Sequence, residues 1–206
     1  NNNGTPTGVD GTYYLHVRAT DNVGNMRQVV SNGFIVDNTP PIAPTLTVNP
    51  TGWTNSNVTV SISSNSDYAS RQYKINSGSW KTYSSPVVIT NLGDKVYARA
   101  YDVAGNPSTE SMITIDNIDR VVPDTPTITA SNSQSTNDIS VNIASNEDRN
   151  TTGFASSGIN RTEYRLTGAT SQNWTTYTGT LIISNHGKTT IYARNTKRCR
   201  VTSNAS

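Results

Sequence analysis

The chain has 206 residues, 33% of them hydrophobic and 15% charged, with a net charge of +2 and a single cysteine. That length exceeds one β-sandwich of roughly 100 residues, the lone Cys199 excludes an intrachain disulfide framework, and no apolar run reaches the ~18 residues of a membrane span. The positive balance sits in Lys197, Arg198 and Arg200 rather than on a face, which speaks against a nucleic-acid partner.

No window carries a helical apolar period, so the elements are strands. Residues 1–38 hold the last two strands of a β unit, 12–20 and 33–36. Alone they cannot close a sandwich, and the remaining strands would come from upstream sequence or from another chain. The proline-bearing linker VDNTPPIAP at 36–44 follows. Strands then fall at 45–48, 57–63, 71–75, 80–83, 87–90, 95–101 and 112–115, the seven that an immunoglobulin-like sandwich requires. Val58, Val60 and Ile62 point one way and Thr59, Ser61 and Ser63 the other, the period of a half-buried sheet. NSGS at 76–79 and NLGD at 91–94 supply Gly and Asn for turns. A second linker, IDNIDRVVPDTP at 115–126, leads to a third unit in which ISVNI at 139–143 answers VTVSI at 58–62 and NHGK at 185–188 answers NLGD. The division is a fragment at 1–38, one immunoglobulin-like domain at 39–118, and another at 119–206 whose last strand is missing or atypical. Proline fixes φ and donates no ladder bond, so stiff linkers favour an elongated array of tandem all-β sandwiches.

One phrase is written three times: HVRATDNVGN at 16–25, VYARAYDVAGN at 96–106 and IYARNTKRCRVT at 191–202. Tyr73, Trp80 and Tyr83 likewise answer Tyr164, Trp174 and Tyr177, with three residues inserted in the third unit. With GWTNSNVTVSI at 52–62, SSGINRTEYRL at 156–166, ARAYDVAGN at 98–106 and VDNTPP at 36–41, the chain resembles the tandem bacterial immunoglobulin-like (Big) domains of surface adhesins and secreted multidomain proteins. The resemblance implies a non-catalytic stalk or spacer, secreted or at the cell surface, with neighbouring immunoglobulin-like domains of the same polypeptide as partners. The alternative is a carbohydrate-binding accessory module of a polysaccharide-acting enzyme, contacting a host or cell-surface glycan. Neither involves nucleic acid or membrane insertion.

Catalysis finds little support: His16 and His186 lie in different repeats, and neither forms a dyad with a nucleophile. With Val96, Ala98 and Ala100 facing the core, Tyr97, Arg99 and Tyr101 form an outer row that Trp174, Tyr192 and Arg194 continue in the third unit. Such a row is a sugar platform or, more simply, cation–π packing on a solvated sheet. The repeated turn D-x-x-G-N at 21–25 and 102–106 offers hard oxygens, and strand parity turns it toward the linker entering its own domain. Asp37, Asn38, Asp102 and Asn106 are therefore the candidate ligands of an interdomain calcium ion, against the simpler reading that Asp102 and Asn106 cap their own turn. In the third copy Lys197 stands at the place of Asp102, and an ammonium cannot be a calcium ligand. There an exposed, salt-sensitive pairing of Lys197 or Arg198 with Asp116, Asp119 or Asp124 is expected; a sequence error or a disordered end over 195–202 are the other readings.

Overall fold

The computed structural model describes residues 8–65, 68–132, 137–146 and 153–200, and their regular structure is all β. The chain divides into two compact units, residues 1–47, 61–86 and 95–113 in one and residues 48–60, 87–94 and 114–206 in the other.

The first unit opens on a hairpin. Strand β1 (Gly11–Tyr13) pairs with β4 (Phe34–Val36) and β2 (His16–Thr20) with β3 (Met26–Val30), all antiparallel. Gly11 faces Val36 while His16 faces Val30, so the register slips by one residue between the two ladders. At the slip the Ser31 N–H donates to the Leu15 carbonyl at 2.8 Å and the Leu15 N–H to Ser31 Oγ at 2.9 Å. The single strand expected over 12–20 is thereby broken at Tyr14 and Leu15. Strand β3 is an addition to the sequence reading: MRQVV lacks a clean alternation, and the tight turn at 21–25 folds it directly onto β2. Val17 and Val29 remain 54% and 69% exposed, so this hairpin brings no core of its own.

The same unit carries β7 (Ser70–Ile75), β8 (Lys81–Thr82), β10 (Lys95–Tyr101) and most of β11 (Ser111–Thr114), in the sheet order β11-β10-β7-β8. Along β10, Val96, Ala98 and Ala100 are fully buried and Tyr97, Arg99 and Tyr101 half-buried on the opposite face, the alternation read from the sequence. A second sheet, β5-β6-β9, joins β5 (Thr45–Asn49), β6 (Val58–Ser63) and β9 (Val87–Ile89). First, second and fifth strands in one sheet, with seventh, sixth, third and fourth in the other, is an immunoglobulin-like strand order. Val58, Val60 and Ile62 are buried along β6 as expected.

The second unit repeats this order with β12 (Thr127–Ala130), β13 (Ile139–Ala144) and β16 (Leu181–Ile183) in one sheet, and β15 (Gln172–Thr176), β14 (Ile159–Gly168) and β17 (Thr189–Lys197) in the other. Correspondence holds rung by rung: Ile139↔Ile183 and Val141↔Leu181 repeat Val58↔Ile89 and Val60↔Val87. Val141, Ile143, Leu166 and Ala193 form the core here. The three inserted residues lengthen the β14–β15 hairpin, whose register shifts between Tyr164 and Leu166. At its tip Gly168 has φ +111°, and a Cβ there would lie 2.1 Å from the Lys188 carbonyl oxygen, so the longer hairpin requires glycine at this position.

Candidate functional site

Two features recur in both complete strand sets: a row of rings and cations on an outer face, and a turn set against a linker. In the row of the first unit, Lys74 Nζ lies 4.9 Å from the Tyr97 ring centre and 4.4 Å from that of Trp80. The Arg99 guanidinium follows, 4.2 Å from Trp80 and 5.1 Å from Tyr101. Its Nε and Nη2 both donate to Gln72 Oε1, at 3.1 and 2.8 Å, because Arg99 and Gln72 are directly opposed on β10 and β7. In the second unit Arg165 lies 4.6 Å from Tyr192 and 5.5 Å from Trp174, and Arg194 lies 4.1 Å from Trp174. Arg194 Nε donates to Glu163 Oε2 at 2.9 Å, and Arg161 Nε to Glu163 Oε1 at 2.8 Å. Burial works to raise the Glu163 carboxyl, but the two guanidinium groups outweigh it and hold it below the ordinary carboxylate range.

Tyr97 and Arg99 thus share one row, and Trp174, Tyr192 and Arg194 share another. Lys74, Trp80 and Arg165 complete the rows, and sequence reasoning left them out; their signal was parity, since each cation follows a matched tyrosine, Tyr73 or Tyr164, by one residue. Rings that would stack on a sugar lie against cations, and guanidinium donors that would bind hydroxyls are engaged with Gln72 or Glu163. The arrangement is that of cation–π packing.

The turns at 21–25 and 102–106 are built alike. Asn25 N and Nδ2 donate to the two carboxylate oxygens of Asp21, both at 2.8 Å, and Asn106 N and Nδ2 donate to those of Asp102 at 2.8 and 2.9 Å. The glycines at the fourth position, Gly24 and Gly105, have φ +91° and +95°. These bonds hold both carboxyls below their ordinary range; at Asp102 they do so against burial, while at Asp21 the Asn25 side chain contributes most. Asn106 Nδ2 also donates to the Asp37 backbone carbonyl at 2.9 Å, so the turn does meet the linker as parity required. The Asp37 carboxylate instead accepts from the Thr39 N–H at 3.0 Å. Asn38 turns to Asp10, its N–H donating to Oδ1 at 2.7 Å, and Thr39 Oγ1 donates to Asp10 Oδ2. Asp10, unforeseen in the sequence, is held below its usual range by the Thr39 hydroxyl first and the Asn38 N–H second. The four candidate calcium ligands therefore do not converge as a cage of free oxygens: both Asp102 oxygens are occupied by Asn106, and Asp37 presents a carbonyl that is itself accepting. Among the described residues no cluster of three or more His, Cys, Asp or Glu side chains is placed to hold a metal.

In the third copy the turn persists while its chemistry is replaced. The Arg200 N–H donates to the Lys197 carbonyl at 3.0 Å, as Gly105 N–H does to Asp102, and Arg200 takes φ +71° where the earlier copies have glycine. Lys197 Nζ lies 3.1 Å from both oxygens of Asp119, with the two side chains 1% and 5% exposed. Ser157 N and Oγ donate to Asp119 Oδ2 at 2.9 and 2.7 Å, and Ser157 Oγ lies 3.2 Å from Cys199 Sγ. Burial works to raise the Asp119 carboxyl, but the bonds from Ser157 and Lys197 more than offset it and leave it lowered. The acidic partner expected for Lys197 is present, but the pair is buried, not exposed: Ser157 supplies the donors that let a carboxylate leave water. Arg198 is not the pairing cation; its N–H donates to the Gly158 carbonyl at 3.2 Å. Val201 and Thr202 of the repeated phrase lie outside the described residues.

The linker itself is bonded along its length. Ile115 N donates to the Asp94 carbonyl at 2.9 Å and Gly93 N to that of Ile115 at 2.7 Å. Asn117 Nδ2 donates to the carbonyls of Pro50 and Gly52 at 2.7 and 3.0 Å, and Thr54 N and O bond Asn117 O and Asp119 N at 2.9 and 2.8 Å. Arg120 reaches the carbonyls of Asn55 and Thr90 and, at 2.6 Å, Asn57 Oδ1. Further along, Asn195 Nδ2 donates to the Asp124 carbonyl at 2.9 Å, the role Asn106 plays toward Asp37.

No protein-family model and no curated protein sequence matches the chain. Among solved structures it is similar to the human OSCAR ligand-binding domain, at 12% identity over 82% of this chain and 97% of that one, and to the FN1–FN3 domains of chicken CNTN1, at 14% identity over 94% and 75%; the TM-score is 0.31 for each. Likenesses of that size add nothing to the strand order, which by itself makes the chain immunoglobulin-like.

Proposed function

We propose that the chain is a non-catalytic spacer: a run of immunoglobulin-like units, 39–118 and 119–206 with an incomplete unit before them, from a secreted or surface protein of the Big-domain kind. The observation that carries this is the linker at 115–120, whose backbone and Asn117 and Arg120 side chains are bonded to residues 50–57 and 90–94 rather than left slack. A linker that only tethered a ligand-binding module would need none of these bonds, whereas a spacer transmits position through each junction. The rows of rings and cations serve as sheet packing, and the partners are neighbouring units of the same polypeptide. A glycan array probed with the whole chain tests this reading. Silence across the array is expected; saturable binding lost on Trp174→Ala or Tyr97→Ala would replace the spacer with the carbohydrate-binding alternative.

A further inference from the structure

The end of the second repeat that receives residues 115–120 has a counterpart in the third repeat, and the counterpart is a cavity. Its volume is about 760 Å³, its floor is Ile139, Val141, Ile183 and Ile191, and Gly187 and Lys188 stand on its rim. Pairing fixes the correspondence. Ile139↔Ile183 repeats Val58↔Ile89, and Ile191↔Leu166 repeats Val96↔Ile75. Val58, Ile89 and Val96 are 0%, 1% and 0% exposed, whereas Ile139, Ile183 and Ile191 are only half-buried. What differs at the second repeat is the linker: Ile115 and Ile118 are 0% and 2% exposed there, on either side of Asn117, whose amide bonds two carbonyls of the loop below. The backbone that holds Ile115 is also repeated, since Gly187 at φ +113° stands in NHGK where Gly93 at φ +87° stands in NLGD and donates to the Ile115 carbonyl.

We infer that the cavity of the third repeat is a socket for the linker of a further tandem unit. Its occupant is an extended peptide of the I-D-N-I class, with two isoleucines three residues apart on the isoleucine floor and the intervening asparagine turned to loop carbonyls. The volume falls within the roughly 300–1,000 Å³ over which pockets enclose a ligand. Burying the three isoleucines as their counterparts are buried supplies the driving force. The inference rests on the spacer reading and makes it specific: the units join by one repeated joint.

The test is an NMR titration of the whole isotope-labelled chain with a synthetic peptide of residues 114–122, TIDNIDRVV, taken to millimolar concentration. Saturable shifts are expected at Ile139, Ile183, Gly187 and Ile191. The same peptide carrying Ile118→Asp should bind at least about tenfold more weakly, a change that leaves the protein untouched. No saturable shift, shifts away from the cavity, or equal binding by the two peptides would overturn the socket. If the peptide is refused while the glycan array stays silent, the socket alone falls; glycan binding lost on Trp174→Ala would remove the spacer reading with it.

Discussion

The turn at 102–106 and the turn at 197–200 share a backbone and are held by opposite chemistries. In the first, a carboxylate closes on its own loop: Asn106 takes both oxygens of Asp102 and passes one hydrogen bond to the Asp37 carbonyl. In the second, an ammonium in the aspartate's place reaches out to Asp119, 78 residues away in the chain, and the pair is buried. A self-satisfied turn can be copied from repeat to repeat, since everything it needs lies within five residues. A turn that depends on a distant partner is specific to one junction, and losing that partner leaves a charge stranded away from water.

The comparison breaks most sharply at Lys197. Lys197→Met leaves Asp119 buried without its cation and should lower stability by about 3–5 kcal/mol, whereas Lys197→Met with Asp119→Leu should recover most of the loss. Denaturant unfolding of both variants measures this, and equal loss in single and double variants would mean the pair is exposed in solution. Asp102→Asn, which keeps the shape and most acceptors of a local turn, should cost clearly less than Lys197→Met in the same assay.

Acid sharpens the comparison next. Asp119, Asp102 and Glu163 are all held below their usual values in the folded chain, so their contributions are fully present above the unfolded carboxylate range near pH 4 and are lost as pH falls through the lower folded values. Thermal melts should be level from pH 7 to 5 and fall below about pH 4. Lys197→Met should flatten the part of that fall that belongs to Asp119. Added salt should leave the wild-type melting temperature nearly unchanged, because a buried pair is little screened; a fall of several degrees would restore the exposed pairing expected from sequence.

Smaller effects remain. Arg200 holds a left-handed backbone that its earlier counterparts assign to glycine, so Arg200→Gly should stabilise by up to about 1 kcal/mol, the relief of strain being partly offset by the freer unfolded chain. Calcium titration by calorimetry should give no heat at either junction, given that Asn106 already occupies Asp102. Binding abolished by Asp102→Asn would show that the turn reopens to form a cage.

Strand order, core positions and turn sites were legible because each follows from a local period: Val58, Val60 and Ile62 alternate, Val96, Ala98 and Ala100 alternate, and the glycines stand where φ is positive. The irregular first hairpin was legible only in part, because Met26–Val30 lacks an alternating pattern and pairs through its turn. Candidate positions on the outer rows were found by parity, yet their occupation was not, since whether Arg99 is available depends on Gln72 and Trp80 from other strands. The same holds for Asp119. From the sequence it is one of three linker aspartates opposite a basic loop; which of them pairs, and whether the pair is dry, was settled by Ser157 arriving from 38 residues away with two donors. Periodicity determines which face a side chain takes, because the backbone imposes it on every residue alike. The dielectric around a charge and the partners of a carboxylate are set by segments far apart in the chain, and those only the tertiary structure decided.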